Sequence, residues 1–159
     1  MNLSNGKTIN IEINHALVES SSESKNIYFA KFFKQAIENG DVVIYSGHSG
    51  LGSNLDISYL ESKAGKFHFP VGKRQIFFFE SCSGYSYYLD LFKYSKTRAT
   101  IDVVTNGLSS YFETSHNILT LFTAHMLNPQ NDKVTWLKIL RDLETPLEGG
   151  SYLINVGGL

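Results

Sequence analysis

A single cysteine, Cys82, stands in the chain, so no internal disulfide can form and a stapled secreted scaffold is excluded. Neither sign of charge dominates. The formal net charge is −1, which leaves no basic field for nucleic acid or anionic lipid. No apolar run approaches the roughly 20 residues that cross a bilayer; the longest, Val42–Tyr45 and Ile76–Phe79, are strand-sized. Met1–Thr8 is polar and shows no apolar stretch of a signal peptide. The expectation is a soluble domain with no membrane or nucleic-acid partner, cytoplasmic by default. It forms one unit over 1–159, either whole or as part of a longer chain.

With 42% hydrophobic and 18% charged residues, the composition is that of a globular chain, not a disordered one. At 159 residues it can bury a core without staples. Thr8–Asn14 alternates strictly, with Ile9, Ile11 and Ile13 on one face, and reads as a half-buried strand. The serines of 20–24 are placed to cap a following helix. Ile27–Asn39 runs at helical period, with Phe29, Phe32, Phe33, Ala36 and Ile37 on one stripe, and stops at Asn39-Gly40.

Val42–Tyr45 and Ile76–Phe79 are short continuous apolar runs, and with Thr100–Thr105 as a third strand of this type they are expected as buried parallel strands. Helices are expected at Ile57–Ser62, Tyr85–Tyr94, Ser115–Leu127 and Lys133–Leu143. In the last of these, Trp136, Leu137, Leu140 and Leu143 are assigned to one face. Ser151–Val156 reads as a terminal strand. The alternation predicts an α/β fold, a three-layer αβα sandwich on a mostly parallel sheet.

In such sheets the active crevice lies beyond the carboxyl ends of the strands. The three exit loops read S-G-H-S-G-L-G, E-S-C-S-G-Y-S and T-N-G-L-S-S. One carries His48 and the next carries Cys82, with an interval that fits one strand–crossover–strand unit. A thiolate is the nucleophile. A nearby imidazole can take the thiol proton and later protonate a leaving amine, and a helix starting near Tyr85 would favour the thiolate. Backbone N–H groups at Cys82 and around Ser49-Gly50 are placed to form an oxyanion hole.

The segments V-V-I-Y-S-G-H-S-G and I-F-F-F-E-S-C-S-G resemble the clan of cysteine peptidases that includes caspases, legumains, gingipains, clostripain and separase. The resemblance covers roughly Asp41–Gly107. It implies a caspase-like fold, peptide or protein substrates and no cofactor. His48 would be the general base or acid and Cys82 the nucleophile, with oxyanion donors at the N–H of Ser49 and of Cys82. The clan has Gly directly after its His, whereas Ser49 stands there in this chain.

Other readings compete. Ser49 after His48 favours a catalytically inactive binding or scaffold domain on the same fold. A serine esterase built on Ser49, with Asp102 and His116 or His125, is the weaker alternative, because Leu51 stands where a G-x-S-x-G elbow needs its last glycine. The Gly-rich loop lacks nucleotide-binding spacing. His15, His68, His116 and His125 have no metal-ligand spacing, and no metal is expected. Asp56, Glu80, Asn106 and Ser109 are candidate substrate contacts by loop position. For Asp56 and Glu80 the plainer reading is a solvated carboxylate or a helix cap.

Overall fold

The computed structural model describes residues 6, 8, 10–16, 23–93, 96–128, 134–147 and 153–157. Helix α1 (Glu23–Asn39) leads into strand β1 (Val42–Ser46), a 3-10 turn (Gly50–Leu55) and helix α2 (Ile57–Ala64). Strand β2 (Gln75–Glu80), helix α3 (Gly84–Lys93) and strand β3 (Ile101–Asn106) follow. Helices α4 (Phe112–Leu127) and α5 (Trp136–Glu144) and strand β4 (Leu153–Gly157) complete the order. The sheet runs β1-β2-β3-β4; the first three strands are parallel and β4 is antiparallel to β3. This is a mixed α/β fold around a small, mostly parallel sheet.

The apolar run of β2 explains its central place. Side chains alternate across a strand, so Phe77 and Phe79 pack with Phe33 and Ile37 of α1, Leu60 of α2 and Tyr88 of α3. Phe78 packs with Val104, with Ile118 and Phe122 of α4, and with Ile139 and Leu143 of α5. The Phe78 and Phe122 rings lie 4.7 Å apart between centroids. Gln75 starts the strand fully buried; its amide nitrogen donates to Ile37 O and Gly40 O, tying β2 to the end of α1.

Three expectations are corrected. Residues 10–14 form no strand and Thr8 makes only an isolated bridge; Ile13 is 72% exposed, and Ile9 lies outside the described residues. Alternation fixes a face only where something covers it, and nothing described covers this one. Strand β1 is not buried on both faces. It is an edge strand, with Val42 37% and Ile44 42% exposed, because among the described residues the α4–α5 cluster reaches β2 and β3 but no residue of β1. In α5, Leu137 is 60% exposed and Ile139 is buried in its place. Positions 136, 139, 140 and 143 make the true helical stripe, and 137 falls off it. Ser20–Ser22, Tyr94, Lys133 and Ser151, at the expected element ends, lie outside the described residues.

Candidate active site

The parallel register sets Ser46 opposite Glu80 at the carboxyl ends of β1 and β2. Gly47 N–H donates to Glu80 O at 3.1 Å, so the ladder runs one residue past β1. His48 and Cys82 each stand two residues beyond this matched pair, on adjacent exits, as the sequence pattern implied.

The main chain at His48 is held from below. Tyr45 Oη and Asn54 Nδ2 both donate to His48 O at 2.6 Å, and Tyr88 Oη donates to Ser49 O at 2.8 Å. Burial pushes the Tyr45 phenol above its ordinary value, against a smaller lowering from the Asn54 hydrogen bond. Burial raises Tyr88 further, reinforced by neighbouring Tyr45 and Tyr87. Both phenols therefore stay protonated as donors at neutral pH. The turn after them has positive φ at Gly50 (55°), Leu51 (55°) and Gly52 (90°). A Cβ at Gly50 would come within 2.6 Å of Asn54 Oδ1, the amide that pins His48. The exposed imidazole meets the Phe112 ring edge-on, with centroids 5.1 Å apart.

The tyrosines carry a pH dependence with a defined sign. Tyr88 is favoured protonated in the folded state, so its contribution is complete below the ordinary phenol value near 10. Above that, the unfolded chain ionises first and the contribution falls away. Thermal melts from pH 8 to 11 are expected to show stability declining above about pH 10, and less steeply in Tyr88→Phe. Equal slopes in the two proteins would assign the decline to other groups.

At the second exit, Cys82 is half-buried and free. Ser110 N–H donates to Cys82 Sγ at 3.4 Å, and Ser110 O lies 3.9 Å from the thiol as its acceptor. Ser83 follows with φ 51°, uncommon for a residue with a side chain, and its N–H donates to Leu108 O at 2.7 Å. Helix α3 begins at once, so the positive end of its dipole faces the cysteine. Gly84 permits this close start: a Cβ there would lie 2.3 Å from Thr105 Oγ1 and 2.9 Å from Ser81 Oγ. Gly84→Ala is expected to destabilise by about 1–3 kcal/mol through overpacking. Thr105→Ala in the same chain should recover part of that loss in a urea-unfolding cycle.

Glu80 is 1% exposed. Its Oε2 accepts from Ser46 Oγ at 2.8 Å and its Oε1 from Ser110 Oγ. It is therefore neither a solvated carboxylate nor a cap. Asp56 is a cap: its Oδ1 accepts from Tyr59 N–H at 3.0 Å at the start of α2. Asp56 also lines an open cleft of about 490 Å³ with Leu51, Ile57, Ser86 and Tyr87. Asn106 is buried at the end of β3 with no partner for Oδ1 among the described residues, and Ser109 is exposed on the loop beyond.

The exits thus bring His48, Cys82, Glu80 and Ser110 to one end of the sheet. Among the described residues no hydrogen bond joins His48 to Cys82; the sulfur is engaged by Ser110 and the imidazole by Phe112. Neither the Ser49 nor the Cys82 N–H donates to a protein acceptor among the described residues. The serine-triad residues stay apart. Asp102 lies near the opposite end of β3, about 13 Å from its exit, and pairs with Arg74. His125 Nε2 pairs with Asp142 at 3.1 Å, and His116 is exposed on α4. Comparison with protein-family models, with curated proteins and with solved structures yields no match. Among the described residues, no helix is long and apolar enough to cross a membrane, and no group of three His, Cys, Asp or Glu side chains could hold a metal ion.

Sequence reasoning did not single out Ser110, Ser46, Tyr45, Tyr88 or Phe112. Only Tyr45 had a local signal, as the last apolar residue before the His48 loop.

Proposed function

We propose that the chain is a cysteine peptidase-like hydrolase of the caspase–legumain–gingipain type, folded as a three-layer αβα sandwich, and that it cleaves peptide bonds with Cys82 and His48. The observation that carries this reading is the matched pair Ser46–Glu80 with the Gly47-to-Glu80 bond beyond it, which sets the two exit loops side by side. The unused N–H groups of Ser49 and Cys82 support it as oxyanion donors. The thiol gives its proton to His48 and the sulfur bonds to the substrate carbonyl carbon. The C–N bond then breaks as His48 protonates the leaving nitrogen. Water, losing a proton to His48, attacks the thioester, and the C–S bond breaks to return the thiol. Asp56, Asn106 and Ser109 are the proposed substrate contacts. Glu80 has both carboxylate oxygens bonded within the protein.

A second reading, a catalytically inactive binding domain, is favoured by the engagement of the sulfur with Ser110 and of the imidazole with Phe112. In ligand-free enzymes, catalytic hydrogen bonds often form only with substrate bound, so the hydrolase reading stands ahead. Incubation with a degenerate peptide library, read by mass spectrometry, separates the two. Cleavage that vanishes in Cys82→Ala supports the peptidase. Bound but uncut peptides support the binding domain.

A further inference from the structure

We infer that Glu80 is a positioning residue for the Cys82–His48 pair and acts through the hydroxyls of Ser46 and Ser110. The inference rests on the Cys–His reading above and adds a device that keeps the pair in order. Burying a carboxylate is costly unless donors satisfy it. Among the described residues Glu80 has no lysine, arginine or histidine partner; its donors are two serine hydroxyls, one at the end of β1 and one on the loop after β3. A carboxylate is suited to this task because its two oxygens can accept from both sides at once.

The placement of those serines gives the contact its meaning. Ser46 is two residues before His48, so its bond fixes the base of the histidine loop to β2. Ser110 is the residue whose own N–H reaches Cys82 Sγ at 3.4 Å. Anchoring its hydroxyl on Glu80 keeps that amide on the sulfur, and an N–H donor there stabilises negative charge as the thiol ionises. The surrounding loop is otherwise lightly held: Leu108 and Ser109 are exposed, and Leu108 O accepts from Ser83 N–H. Glu80 thus draws the histidine loop, the cysteine strand and the third exit to one point.

The test is the rate of Cys82 alkylation by iodoacetamide at pH 6, in folded variants checked by circular dichroism. Ser110→Ala and Glu80→Ala are each expected to slow labelling about tenfold, the scale of one lost hydrogen bond to a charged group. Glu80→Gln, which can still bond both hydroxyls, should stay within about threefold of the native rate. The Ser110→Ala effect should persist in a His48→Ala background, because the amide contact does not pass through the imidazole. If His48→Ala alone leaves the rate unchanged while Ser110→Ala slows it, the Cys–His reading fails and the Glu80–Ser110 device stands. Native-rate labelling in Ser110→Ala, or equal slowing by Gln and Ala at position 80, would overturn the inference. Ser110 lies on a half-exposed loop, so its variant decides the question even if Glu80→Ala does not fold.

Discussion

Phe78→Ala is expected to destabilise the protein by about 3–5 kcal/mol, whereas Ile44→Ala should cost less than about 1.5 kcal/mol. Both side chains belong to parallel strands and stand opposite each other in the register. Phe78 is fully buried and packs on Phe122, so truncation leaves a cavity that the surrounding side chains fill only in part. Ile44 is 42% exposed on the edge strand, and among the described residues no helix packs over it. Urea midpoints of the two variants measure the contrast. Comparable losses would mean that β1 is covered on the face described as open.

On the proposed peptidase reading, His48→Ala is expected to lower peptide-bond cleavage by about 10²–10⁴-fold, the range for losing a general acid–base group. Stability should change little, because the imidazole is exposed and its described contact is one ring edge on Phe112. The main-chain clamp from Tyr45, Asn54 and Tyr88 acts on carbonyl oxygens and survives the substitution. A variant that keeps native cleavage would remove His48 from the chemistry. One that also unfolds would give the imidazole a structural part absent from this account.

Strand β2 was legible as a buried strand because Ile76–Phe79 is apolar on both faces, as a strand covered on both sides requires. The exits were legible for the same reason: glycine, serine and polar residues end each run abruptly. The edge position of β1 was not legible, since Val42–Tyr45 is as apolar as the buried strand beside it; which helices reach over a strand is a tertiary fact. Thr8–Asn14 shows the converse, a strand pattern with no described partner to make it one. His48 and Cys82 could be placed on adjacent exits because parallel connections constrain topology. Ser110 could not, because its amide meets Cys82 only after the third exit turns back over the second. The clamp by Tyr45 and Tyr88 was hidden too, since hydroxyl bonds to backbone carbonyls leave no periodic trace. Asp56 followed the plainer expectation, a helix cap, while the buried Glu80 departed from both of its plain readings.

The most direct test of the central claim is the pH dependence of iodoacetamide labelling of Cys82 from pH 5 to 9, in the native protein and in His48→Ala. A thiolate–imidazole pair predicts fast labelling below pH 7 that depends on His48. Slow labelling at those pH values, the same in both proteins, would contradict the pair and leave the domain as a binding module.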